Sequence, residues 1–408
     1  MLGVRAVGTL TSVVLMLTPV AGGQQPTGAP LLQSQHMVYA GAFRLPAGRG
    51  LASFEDGGTS MSFDPANGTL WMAGRSQQWV AEVNIPEIRT AMALTDLATA
   101  TIRTPFRDVL GGRMESIAPG VGGAKLLGGT LPWLGSLIVS AYVYFDAGNA
   151  QAASHFRVQG STVIGPVKVG RADTGLVSGW MAPIPVEWQA PLGGPALTGQ
   201  CCIPIISRTS SGPAASVFNP ADIGVKSPVP ATQVVGYPWG NTTLGGPDSN
   251  GTLFNTTVWM GGIVFPPLTR SVLFIGGRKS LGRFCYGPGT DDESLHMTPY
   301  PEAPRSENWC YDPSNHDKGT HGYPYTHFVW AYDAQDLVAA RKGRRPWNVR
   351  PYATWPFDLP FQAPSRAIKG VAYDPATRRL FLTAQNNDGA QPLVHVFTVS
   401  LSALPGAR

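Results

Sequence analysis

The sequence predicts an all-β chain built from a repeated four-stranded unit, and three observations carry that prediction. The first is composition: 49 Gly and 37 Pro among 408 residues, with only 13% charged, disfavour long helices and favour short strands joined by tight turns. The second is a hairpin that recurs at 58–74 (GTSMSFDPANGTLWMAG), 262–277 (GIVFPPLTRSVLFIGG) and 370–384 (GVAYDPATRRLFLTA), each an apolar strand, a turn with Pro and a second apolar strand. The third is a later strand ending in Pro and an aromatic ring, at 100–106 (ATIRTPF), 234–239 (VVGYPW) and 349–357 (VRPYATWPF).

Taken in order, residues 1–23 hold one early charge, Arg5, an apolar run over 6–20 and the small residues Ala21, Gly22 and Gly23. This is the pattern of a cleaved secretory signal. Residues 24–34 read as a flexible linker and 35–408 as a single domain. Between each hairpin and its closing strand lies a third strand, such as 80–85 (VAEVNI) or 328–332 (FVWAY). Two less regular units fit the same order, one at 136–141, 154–158 and 163–169, the other at 179–184, 202–207 and 215–218. The last unit supplies 368–373, 380–383 and 393–399, then stops one strand short. The segment 39–46 (YAGAFRLP) matches the closing-strand signature, so the N-terminal strand is expected to complete the final unit.

A ring of about five four-stranded units closed by its own N-terminal strand resembles the β-propeller superfamily. The resemblance covers essentially all of 35–408. No blade motif ties it to one family, although the whole resembles exported bacterial propellers to which no function is attached; the resemblance implies a fold and no activity. An open β-sandwich array would not need the permuted match at 39–46.

In that fold, the loops entering each first strand share a face with the loops joining second to third strands. That face receives Glu55, Glu115, Arg366 and Lys369 from entering loops, and Arg75, Tyr142, Arg208, Arg278 and Gln385 from second-strand ends. Arg75, Arg208 and Arg278 occupy equivalent places, and converging guanidinium groups call for carboxylates or an anionic ligand between them. Glu55 and Glu115 are candidates for the acid and base of a glycoside hydrolase. The stretch 279–325 is expected to form a lid-like insertion on the same face. Its histidines, with His321 and His327 the candidate ligands, are where a divalent metal would bind, in a metal-assisted lyase or lactonase. Trp180, Trp259 and Tyr325 are the rings expected to face a ligand. Asp64 and Asp374, each before Pro, read as turn formers on the opposite face.

Four Cys in an exported chain point to disulfides. Cys285 and Cys310 bracket a polar loop and form the expected pair, while Cys201 and Cys202 are adjacent, and a bond between them would close a strained ring. The net charge of +5 is spread through the chain without a basic run, which argues against nucleic-acid binding. No segment after the first holds about eighteen uninterrupted apolar residues, so no membrane insertion is expected. The function that fits is binding of a carbohydrate or other small polar, acidic ligand by a secreted or periplasmic protein. An enzyme on the same face, or a structural or protein-interaction module, are the competing readings. The oligomeric state is not legible.

Overall fold

The computed structural model describes residues 28–57, 60–200, 209–250, 253–302 and 307–401. The recurring hairpins are antiparallel strand pairs, Met61–Asp64 with Thr69–Ala73, Trp259–Val264 with Ser271–Ser280, and Ile368–Asp374 with Arg379–Asp388. Asp64 and Asp374 make their turns, each accepting the backbone N–H two residues on at 2.9 Å.

Each hairpin is the inner half of a four-stranded antiparallel sheet. Blade one continues through Trp79–Asn84 and Thr101–Asp108. Blade two is Lys125–Trp133, Ser136–Val143, His155–Gln159 and Thr162–Val167, and blade three is Met181–Pro183, Ala196–Gly199, Ala215–Phe218 and Ala231–Val235. Blade four adds Tyr325–Asp333 and Ala353–Phe357 to its hairpin. Blade five adds Gln391–Val399 and takes its outer strand, Met37–Arg44, from the other end of the chain. Met37 lies opposite Val399 and Arg44 opposite Leu393. The chain is a five-bladed β-propeller.

The apolar faces of these sheets are buried against one another. A separate core fills each gap: Val139 and Phe156 between blades one and two, Ile138 and Phe218 between two and three, and Phe274 and Trp330 between three and four. Ile275 and Leu382 lie between four and five, and Phe43 and Phe381 between five and one. Burying a ring such as Phe381, 1% exposed, is worth about 3 kcal/mol. That gain is repeated in every gap around the ring.

The structure departs from the sequence reading in two strands. The inner strand of blade two, Lys125–Trp133, was not expected, because its Gly128–Gly129 pair and Pro132 interrupt the alternation that marks a strand. The glycines are required by proximity: a Cβ on Gly128 would run into the Ser178 carbonyl oxygen, and one on Gly129 into that of Gly179. The second strand of blade three is Ala196–Gly199 and not the β-branched run at 202–207, which lies outside the described residues. Two short helices, Val186–Leu192 and Ala334–Arg341, were also not foreseen; they follow the first strand of blade three and the third strand of blade four. The end of the expected linker is anchored: Leu32 is fully buried, donates its N–H to Ser271 Oγ at 2.8 Å and accepts from the Tyr352 hydroxyl at 2.6 Å. Among the described residues, no helix is long and apolar enough to cross a membrane.

Candidate functional site

The lid leaves blade four between its second and third strands, which puts it on the face that also carries the entry loops. Two small ladders give it shape: Cys285–Gly287 runs antiparallel to Gly319–His321, and Gly289–Thr290 runs parallel to Cys310–Tyr311. The expected Cys285–Cys310 disulfide joins the ladders, with Cα atoms 5.7 Å apart. Cys201, Cys202 and Arg208 lie outside the described residues.

Asp312, two residues beyond the disulfide and fully buried, is the hub of the lid. Its carboxylate accepts from the Tyr325 hydroxyl at 2.6 Å, from His321 Nδ1 at 2.8 Å, and from the Ser314 hydroxyl and backbone N–H at 2.6 and 3.1 Å. Burial pushes its pKa up, but the hydrogen bonds from His321, Ser314 and Tyr325 outweigh burial and hold the carboxyl below the usual carboxylate range. Tyr325 is pushed up to about 12, chiefly by burial.

Arg278 approaches this hub from the sheet. The register between Ser271–Ser280 and Tyr325–Asp333 slips between Gly276 and Lys279, and Arg278 sits in that irregularity at φ 55°. Its guanidinium lies 5.0 Å from the centre of the Tyr325 ring and 3.7 Å from Asp312, while its Nε is enclosed without a hydrogen-bond partner among the described residues. The Arg278 N–H donates to the Arg366 carbonyl at 3.1 Å, tying the loop of blade four to the entry loop of blade five. Arg366 in turn donates to Asp358 and Gln362, both at 2.6 Å. Tyr323, Tyr325, Gln362 and Arg366 line a cleft of about 300 Å³ where the lid meets that loop.

Closer to the axis stands a residue the sequence placed on this face but did not single out. Blades two, four and five each break register near the start of the inner strand, where the chain reads Leu127-Gly128-Gly129, Met260-Gly261-Gly262 and Ile368-Lys369-Gly370. At the bulge, two blades carry glycine and the fifth carries lysine. Lys369 is 5% exposed, has no ion pair among the described residues, and rests its ammonium 3.1 Å from the centre of the Trp259 ring of blade four. Burial, with Arg278 adding to it and Asp56 opposing, holds its pKa well below the usual lysine range. Tyr142 packs beside Trp259 and Leu126. Lys279, also buried, is lowered by desolvation and lies 5.3 Å from the Phe328 ring centre. Aligned repeats carry the signal for Lys369, a charge where its counterparts have glycine; no comparable pattern marks Asp312, whose role exists only once the lid has folded.

The remaining candidates are dispersed. Arg75 pairs with Glu55 and lies 3.6 Å from Asp56; Glu115, largely exposed, pairs with the buried Lys125. The two glutamates therefore close on different cations. Gln385 donates weakly to the Asp56 carbonyl, at 3.5 Å. Trp180, expected to face a ligand, is instead buried in the core between blades three and four, packed over Gly199, where a Cβ would strike its indole nitrogen. Both ring nitrogens of His321 face oxygen acceptors, Asp312 at 2.8 Å and the Asp317 carbonyl at 3.0 Å, so neither is free to ligate a metal. His327 is buried with its ring stacked on Phe357 at 5.3 Å, and burial pushes it down to about 4. Among the described residues, no group of three His, Cys, Asp or Glu side chains is placed to hold a metal ion.

No family model matches the sequence, and no curated protein matches it. Solved structures do resemble it. They include a luciferin-regenerating enzyme (TM-score 0.37, 9% identity, covering 85% of this chain and 93% of that one). A PQQ-bound aldose sugar dehydrogenase from Streptomyces coelicolor has TM-score 0.37 and 11% identity, over 88% and 99% of the two chains. A glycosyl hydrolase from Bacteroides ovatus has TM-score 0.35 and 11% identity, over 88% and 93%.

Proposed function

We propose that this propeller is an exported binding protein that takes a small acidic, hydroxyl-rich ligand, such as a sugar acid, in the cleft between the lid and the entry loop of blade five. The observation that carries the reading is an imbalance of charge. Arg278, Lys279, Arg366 and Lys369 gather around the lid and the axis; Asp358 answers Arg366 alone, and among the described residues the fully buried carboxylate there, Asp312, is already committed to Tyr325, His321 and Ser314. Arg278 therefore keeps donor capacity that an incoming carboxylate can take up, and the half-buried Tyr323 ring at the cleft suits a sugar face. Export is supported by the signal-like pattern of 1–23 and by the Cys285–Cys310 disulfide, which persists in oxidising compartments.

The test is calorimetric titration with uronic acids beside the matching neutral sugars, repeated on Arg278→Met and Arg366→Gln. Uronic acids are expected to bind at least about tenfold more tightly than neutral sugars, and each substitution to erase most of that preference, as loss of a charge-assisted bond does. Equal affinity for acid and neutral sugar, or binding indifferent to both substitutions, would remove the basis of the reading.

A further inference from the structure

The opposite end of the axis is built from different material. Where the five inner strands approach the hairpin face they surround a cavity of about 400 Å³, to which each blade contributes a side chain: Met61, Leu131, Met181, Ile263 and Val371. All five are under 9% exposed, while Leu134, which also lines the cavity, is 85% exposed, so the cavity opens to the surface at that rim. The wall is short of acceptors for water, because the Ser62 hydroxyl is already bonded to Thr130 at 2.8 Å. Trp133, from blade two, also lines the cavity, and its indole N–H is enclosed with no hydrogen-bond partner among the described residues.

An apolar cavity of this size gives a water cluster too few partners, yet matches the volume of small-molecule sites. We infer that the axial cavity on the hairpin face is a binding site for a small, neutral, apolar molecule of about two fused rings. The site is independent of the acidic-ligand cleft, which lies on the other face. A protein partner is the poorer fit, since its side chains would meet a concave well with a wall from each blade and not a flat patch; the exposed Leu134 at the rim and Leu268 in a neighbouring hairpin turn are the residues such a partner would have to use.

The experiment uses the full chain and the neutral naphthyl ketone 6-propionyl-2-(dimethylamino)naphthalene, whose emission moves to the blue in apolar surroundings and whose carbonyl is a single strong acceptor. A blue shift that saturates at one dye per chain is expected. It should vanish in Met181→Trp and in Val371→Phe, which fill the cavity from different blades, and be unchanged in Arg278→Met. A shift that never saturates, or one that both filled variants retain with native circular dichroism, overturns the inference. So does loss of the shift on Leu134→Ser with Leu268→Ser while the filled variants keep it, or sedimentation showing that the hairpin face is occupied by a second copy of the chain.

Discussion

Removing the Cys285–Cys310 bond tests how the lid is held and what it does for the cleft. The bond spans a sequence separation of 25, and closing a loop of that length lowers the entropy of the open state by about 3.5 kcal/mol at room temperature on the chain-entropy account. What remains to hold the lid is modest: two ladders of two to three residues each, and the Tyr325 and His321 bonds to Asp312. The Cys285→Ala, Cys310→Ala double variant should therefore open locally while the blades, which bury their own cores, stay folded. In free-energy terms, about 3.5 kcal/mol multiplies the population of the open lid about 300-fold. Limited proteolysis under conditions where cleavage is slower than reclosing reads that population directly. Cleavage between 285 and 321 should accelerate by two orders of magnitude, with the midpoint of global unfolding little changed. A change below about threefold would show that the ladders and the Asp312 hub hold the lid without the bond, and the entropy argument would fail for this loop.

Other consequences can be measured on the same protein. His155 and His395 are pushed down to about 3 and His327 to about 4, in each case chiefly by burial. They stay neutral in the fold while the unfolded chain takes up protons below about pH 6.5, so their contribution is complete above that value and falls away as pH drops toward the folded values. Chemical denaturation at about pH 5 should show a loss of about 2 kcal/mol per histidine relative to about pH 7, and His155→Asn should remove one such share of the pH dependence. Lys369 is also lowered, so between its folded value and the unfolded lysine value stability rises with pH; Lys369→Met should flatten that rise and be the more stable protein near neutrality, and a slope equal to that of the parent would contradict the assignment. Because an anion near Lys369 favours its charged form, uronic acid binding should raise its pKa, so a proton is taken up at any pH where free Lys369 has begun to deprotonate; a pH series of the buffer-dependent calorimetric heat reads this, and Lys369→Met should abolish it. Asp312→Asn should cost about 2 kcal/mol by weakening charge-assisted bonds from Tyr325 and His321, measured by denaturant unfolding of the lid.

The fold was legible because its local chemistry repeats. Asp-Pro turns such as Asp64-Pro65 and Asp374-Pro375 mark the hairpins, and the match at 39–46 discloses a ring sewn shut by its first strand. Lys125–Trp133 escaped because close approach of neighbouring blades demands glycine where a strand is usually sought, and Ala196–Gly199 because small residues carry little β signal. At the site, Arg278, Tyr325 and Arg366 could be placed on one face by counting strands, and the structure brings them together around the lid. Trp180 could not be separated from pocket rings, since whether an indole faces solvent or a neighbouring blade depends on packing between segments far apart in sequence.

The register of the closing seam also fixes how the ring responds to force. Met37 faces Val399 and Arg44 faces Leu393, so both ends of the described chain leave the seam at the same edge. Tension applied between them would not slide the two strands past each other against all their hydrogen bonds at once. It would part the pairs one after another from Met37 inward, as a zipper opens, at a correspondingly low load. Tension from the N-terminal side first meets the Leu32 anchor on blade four, and once that has given way blade five is the mechanical release of the propeller.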